Sequence, residues 1–157
     1  MKIVKKLGLL LLIVFIIAQF FGPEKNDGNI VSVNAFFADT NPPEDVKMVL
    51  KNACLDCHSD HTRYPWYNAV TPVNYWLASH IDHGKGHFNV SKWEDYNEKK
   101  KDHKLEELIE MVEAKTMPLK SYTWSHGYAK LSQEQIDAMV SWAKAARIKY
   151  SFLKDPQ

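Results

Sequence analysis

Cys54-Leu55-Asp56-Cys57-His58 is the stretch from which the rest of this chain is read. Two thiols at this spacing can add across the two vinyl groups of a haem and form two thioethers. The histidine that follows is then held beneath the iron as its proximal nitrogen ligand. Cys-x-x-Cys-His is the attachment signature of c-type haem. Cys54 and Cys57 are the only cysteines of the chain, so neither is left over for another task. Three rival readings share the pattern. A redox dithiol calls for a thioredoxin-like βαβ surrounding, and no such pattern flanks the motif. A zinc site is the second, because His61 extends the motif to Cys-x-x-Cys-His-x-x-His; a four-ligand zinc site usually draws its halves from separate places. A disulfide between residues this close is the third, and it is strained.

Upstream of the motif, Val46, Val49, Leu50 and Ala53 recur at helical spacing and run directly into Cys54. Thr40 or Asn41 caps this expected helix, with Pro42 and Pro43 in its first turn. Residues 23–39 mix Gly, Asn and Asp with short apolar pieces and read as a flexible tether. Ahead of it, Lys2, Lys5 and Lys6 precede an apolar run from Leu7 to Phe21, a positive segment followed by a hydrophobic one. The run has roughly 15 residues, short for a membrane span, and about 19 if it starts at Ile3 with the lysines snorkelling. No small-x-small cleavage site follows closely, so residues 1–22 are expected to be an uncleaved signal anchor, a membrane-spanning helix. The lysines favour a cytoplasmic N-terminus. The remainder would then lie on the periplasmic side of the cytoplasmic membrane, or be secreted to the periplasm if the segment is cleaved.

Downstream, the aromatics Tyr64, Trp66, Tyr67, Tyr75, Trp76, Phe88 and Trp93 fall in an irregular stretch. Most are expected in an ordinary core, but their density suits a large flat apolar ligand. A short helix is expected from about Val73 to His83. Tyr96 to His103 reads as a charged surface stretch, followed by a helix through Leu105, Leu108, Ile109 and Val112. The last helix opens on a capping box of Ser132 and Gln135 and carries Ile136, Met139, Val140 and Ala143 on one stripe. No internal repeat and no strand pair is visible.

The iron of a c-type haem has a second axial position. Met111 and Met139 sit in helical apolar patterns that core packing explains. Met117 lies outside the helices, immediately before Pro118, where a helix cannot continue. A Met-Pro loop can bring the thioether sulfur to the open face of the iron, so Met117 is the expected distal ligand. His80, His83, His87 and His126 compete, and His80 is the best of them because it shares a short helix with Trp76 and Leu77. Methionine ligation raises the reduction potential and suits electron transfer, whereas histidine lowers it.

The chain has 157 residues, with 20 Lys and Arg against 19 Asp and Glu, a formal net charge of +1. That length holds one domain plus an extra segment. With charge so balanced and no basic stripe, nucleic acid is not an expected partner.

The order of pieces resembles class I c-type cytochromes: a helix ahead of Cys54 to His58, then Met117-Pro118, then a C-terminal helix opened by Leu131-Ser132-Gln133-Glu134. It is more closely similar to the haem-binding domain family of exported Bacteroidetes-type proteins. That likeness rests on Cys54 to Ser59, Thr62-Arg63-Tyr64-Pro65-Trp66-Tyr67, Pro72, the His80 to His87 region, Phe88 to Trp93, Met117-Pro118-Leu119, Tyr122, His126 and the Leu131-Ser132 helix. It covers about Pro42 to Ala143. Lys85 and Val90 depart from the family's usual arginine and aromatic, and His87 falls on a variable position.

The resemblance implies a mainly α fold: a small cytochrome c-like domain over residues 40–150 around one covalently attached haem and its iron, with a C-terminal tail at 151–157. Cys54, Cys57 and His58 are the expected cofactor-binding residues, and Met117, with His80 as alternative, the distal iron ligand. The expected function is that of a membrane-anchored mono-haem cytochrome carrying electrons between unnamed redox partners, without catalysis. A peroxidase-like haem enzyme, with His80, His83 or His126 as distal base, or a haem or redox sensing module is the alternative.

Overall fold

A computed structural model describes residues 1–151. The described residues are mainly helical, with eight α-helices and four 3-10 turns among them. Among the described residues there is no sheet, only a bridging pair between Asp27 and His61. The expected tail at 151–157 lies, apart from the backbone of Ser151, outside them.

The apolar N-terminal run forms α1 (Lys2–Ala18), 17 residues with none buried. At 1.5 Å per residue it is about 26 Å long, short of the ~30 Å of bilayer hydrocarbon. No described helix is long and apolar enough to cross a membrane, which corrects the expected membrane-anchor helix. The membrane as an N-terminal partner, and the anchored periplasmic placement drawn from it, fall with that correction. The helix stops where Gln19 is clamped to the body of the protein: its Nε2 donates to the Thr71 carbonyl at 3.2 Å and its Oε1 accepts from Thr71 N at 2.9 Å.

Residues 23–39, read from sequence as a tether, contain a 3-10 turn (Ile30–Val33) and the start of α2 (Asn34–Thr40). Phe36 is fully buried, its ring centroid 4.9 Å from Trp93 and 5.9 Å from Trp142. Short apolar pieces without periodicity hid these contacts, because the segment finds its partners far along the chain. Asn41, expected to open the next helix, instead ends α2 in the left-handed conformation at φ 43°, which asparagine tolerates. After the two prolines, α3 (Glu44–Ala53) starts with Pro43 as its cap.

The attachment motif forms the short α4 (Leu55–His58). Helix α5 (Val73–His87) runs one turn beyond the expected His83. Helix α6 (Glu98–Glu113) begins inside the expected charged stretch, with the Asn97 side chain accepting from Lys100 N. Within that stretch Asp102 is buried and paired with Arg147 at 2.7 Å. Next come α7 (Lys120–Ser125) and α8 (Gln133–Ser151). The capping box of α8 is present: Ser132 N donates to Gln135 Oε1 at 2.9 Å, and Gln135 N to Ser132 Oγ at 3.3 Å.

Leu105, Ile109 and Val112 of α6 and Ile136, Met139, Val140 and Ala143 of α8 fall on matching helical stripes and join α3 in one core. Each large apolar side chain so buried contributes roughly 1.5–3 kcal/mol before conformational entropy is subtracted. The framework formed by α3, α6 and α8 leaves one side open toward α4 and α5, and the cavity described next lies there.

Candidate haem-binding site

A cavity of about 480 Å³ is lined by Cys54, Cys57 and His58 from the attachment motif, by His80, His83, Gly84 and His87 from α5, by Met111 from α6, and by Met117, Leu119 and Tyr122. Leu50, Ala53, Phe88, Val90, Leu108 and Met139 make the rest of its wall largely apolar. The volume lies within the usual range for cofactor pockets.

Local structure accounts for each placement. The attachment turn and α5 approach closely at Gly84, where a Cβ would lie 2.5 Å from the Cys57 carbonyl oxygen. That approach lets His58 Nδ1 donate to the Phe88 carbonyl at 2.9 Å. The proton is thereby fixed on Nδ1, and Nε2 is left with its lone pair able to ligate a metal. Burial pushes the His58 pKa below its ordinary value and outweighs its hydrogen bonds to the backbone of Phe88 and Gly84, which favours the neutral ring. Burial, reinforced by Cys57 and Asp56, pushes the Cys54 thiol up to about 12. Burial and Asp56 push Cys57 up to about 11. Cys54 and Cys57 form no disulfide.

Met117 reaches the cavity because of how α6 ends. Thr116 N donates to the Met111 carbonyl at 3.0 Å and Lys115 N to the Val112 carbonyl at 3.1 Å, with Lys115 at φ 54°. This is a Schellman closure, and it turns the chain back so that Met117 N also meets the Met111 carbonyl, at 3.1 Å. Met111, assigned to core packing by its periodicity, is 43 % exposed and lines the cavity. Its sulfur accepts from Thr116 Oγ1 at 3.2 Å. Met139 is fully buried, as its stripe predicts. His80 sits at the cavity with Nδ1 bonded to the Trp76 carbonyl at 2.8 Å.

Other sequence candidates fall elsewhere. His61 is not in the cavity wall, and its Nδ1 meets the Gly28 carbonyl at 3.1 Å. Among the described residues no group of three or more His, Cys, Asp or Glu is arranged to hold a metal ion. The zinc set of Cys54, Cys57, His58 and His61 is therefore not assembled. His126 stacks on Tyr122, centroids 4.2 Å apart, outside the lining. Of the aromatic-rich stretch only Phe88 lines the cavity, while Trp66 is 83 % exposed. Lys85, standing where the resembling family has arginine, pairs with Asp60 at 3.1 Å and donates to Asn26 Oδ1 at 2.6 Å.

Sequence reasoning missed Lys104 and Glu107, a 2.6 Å ion pair on the α6 side of the cavity. It also missed the role of Asp56 and Arg63, whose side chains are joined at 2.9 Å. No periodic signal marks such pairs.

A helical fold that wraps an apolar cavity around Cys-x-x-Cys-His, with a histidine whose Nδ1 is already committed, is that of a haem-binding protein. The family model described as haem-binding domain matches residues 13–145, and the chain belongs to that family. The match begins inside α1, so the residues around Phe36 lie within the domain. No curated protein and no solved structure matches the chain.

Proposed function

We propose that the chain is a mono-haem c-type cytochrome that passes single electrons and makes or breaks no substrate bond. In this reading each thiol of Cys54 and Cys57 adds across a vinyl group, sulfur bonding one carbon and the proton going to the other. His58 Nε2 is the proximal ligand and the Met117 sulfur the distal one. Within the haem-binding domain family, the chain then sits with members that resemble class I c-type cytochromes. The observation that supports it best is that Cys54, Cys57, His58 and Met117 line one cavity although Met117 lies some 60 residues along the chain. Bound haem would supply the one-electron iron couple. The chain's residues do the rest: the Phe88 carbonyl orients His58, the apolar wall excludes water, and the Schellman turn presents Met117.

A second reading keeps the haem and changes its open face. His80 lines the same cavity with Nε2 uncommitted, so it would serve as a distal ligand of lower potential. Beside an open iron it would serve instead as the base of a peroxidase-like reaction.

The test is production of the full chain in a host that attaches haem c. A denaturation-resistant mass increase of one haem and a pyridine haemochrome spectrum with two thioethers are expected. The ferric protein should show a methionine-to-iron charge-transfer band at the red edge, lost in Met117→Ala together with a fall in potential. Colourless protein holding stoichiometric zinc would overturn the haem assignment. A spectrum unchanged by Met117→Ala but altered by His80→Ala would replace the distal ligand.

A further inference from the structure

Asp56 is one of the two residues that the Cys-x-x-Cys-His signature leaves open, and attachment chemistry makes no use of its side chain. It is nevertheless only 7 % exposed and lines the cavity. Its Oδ1 accepts from Arg63 N at 3.1 Å and Arg63 Nε at 2.9 Å. Its Oδ2 accepts from Arg63 Nη2 at 3.0 Å and from the Tyr122 hydroxyl at 2.8 Å. Arg63 Nη2 also donates to the Lys51 carbonyl at 2.7 Å, near the end of α3. The carboxylate is thus fixed to the attachment turn from one side by arginine. From the other side it receives a residue of the Met-Pro segment.

Tyr122 follows Met117 by little more than one helical turn, and both line the cavity. Its ring is stacked on His126 with an interplanar angle of 18°. The Tyr122–Asp56 bond therefore ties the segment that carries the proposed distal ligand directly to the turn that carries the proximal one. Both segments line the one cavity and would hold a haem between them, so a bond that sets their separation would also set the reach of the methionine sulfur.

Resting on the ligand reading above, we propose that Tyr122 and Asp56 are positioning residues for Met117: their hydrogen bond holds the Met-Pro loop against the attachment turn and fixes how firmly the sulfur sits on the iron. Tyr122→Phe removes the bond, together with the hydroxyl's contact to Tyr128. The phenyl ring keeps the stack on His126, and Asp56 keeps its arginine, so no buried charge is orphaned. A hydrogen bond to a charged group contributes enough that its loss corresponds to about a tenfold change in an equilibrium.

The experiment compares the haem-loaded full chain with Tyr122→Phe, Met117→Ala and Tyr67→Phe. Tyr67→Phe removes a 3.5 Å hydroxyl contact to Ser125, on the same α7 but outside the cavity. Tyr122→Phe is expected to weaken the methionine-to-iron band, lower the potential, and let imidazole bind the ferric iron about tenfold more tightly. Tyr67→Phe should change none of these. If Met117→Ala abolishes the band while Tyr122→Phe leaves band, potential and imidazole affinity at wild-type values, the positioning role is overturned and the ligand stands. If Met117→Ala itself changes nothing, the ligand reading fails first.

Discussion

Replacing Gly84 by alanine should destabilise the protein, although alanine is the better helix former. Within a helix the exchange ordinarily gains about 0.5–1 kcal/mol. At Gly84 the new Cβ would stand 2.5 Å from the Cys57 carbonyl oxygen, 3.1 Å from Cys57 Cβ and 3.2 Å from its carbonyl carbon. The first distance is about 0.9 Å inside the 3.4 Å at which ordinary contact begins. The obstacle is backbone, so no side chain can swing aside, and α5 must move off the attachment turn. Overpacking of this kind costs roughly 1–3 kcal/mol, and loosening the His58–Phe88 hydrogen bond adds about 1 kcal/mol. Set against the propensity gain, the net loss is about 2 kcal/mol. Gly86 provides the control, since it lies in the same helix with nothing within 4 Å of its would-be Cβ. Gly86→Ala should stabilise by about 0.5 kcal/mol. Guanidinium denaturation followed by far-ultraviolet circular dichroism reads both variants, and opposite signs are expected. In thermal melts they should differ by about 5–10 °C for a chain of this size. Equal stabilisation by the two alanines would refute the close approach of α5 to the motif.

Phe36→Ala should cost about 3–5 kcal/mol, measured by the same denaturation; a change near zero would return residues 23–39 to the status of a tether. Asp39 makes the acid stability of the fold testable. Burial raises its pKa, but bonds from Lys149, Trp93, Tyr150 and Lys101 outweigh this and hold the carboxyl well below the ordinary carboxylate range. The unfolded chain therefore takes up this proton first, so the contribution is complete at neutral pH and is lost as pH falls below the ordinary 3.8. Asp39→Ala should cost about 2–4 kcal/mol at pH 7, because the Trp93 and Tyr150 donors lose their partner, and should flatten the acid limb of stability against pH.

The parts of the fold written in local periodicity were readable in advance. The stripe of α8, its Ser132–Gln135 box and the helix leading into Cys54 are all where the pattern puts them. Cys54, Cys57, His58, His80 and Met117 do line a common cavity. Partnerships across long separations were not readable. Phe36 against Trp142, Asp102 against Arg147 and Asp56 against Tyr122 have no signature within any window of sequence. The apolar N-terminal run differs for another reason: its composition is that of a span, but the helix ends at Ala18, where Gln19 binds Thr71. Met111 shows the limit of periodicity itself. It keeps helical register with Leu108, yet the neighbouring space is a cavity and not core.

Phe88 would serve a haem held at His58 through two chemically independent parts. Its carbonyl oxygen accepts from His58 and so governs the basicity of the imidazole. Its ring packs at 6.1 Å from Phe36 and 6.2 Å from Trp93 and so governs the dryness of the pocket. A change of side chain there would alter hydration around the metal while leaving the ligand's electron donation in place. The backbone contribution is beyond the reach of any single substitution at that position. If His58 holds a haem iron, variation in the ring would shift its potential in small steps without disturbing the His58 hydrogen bond.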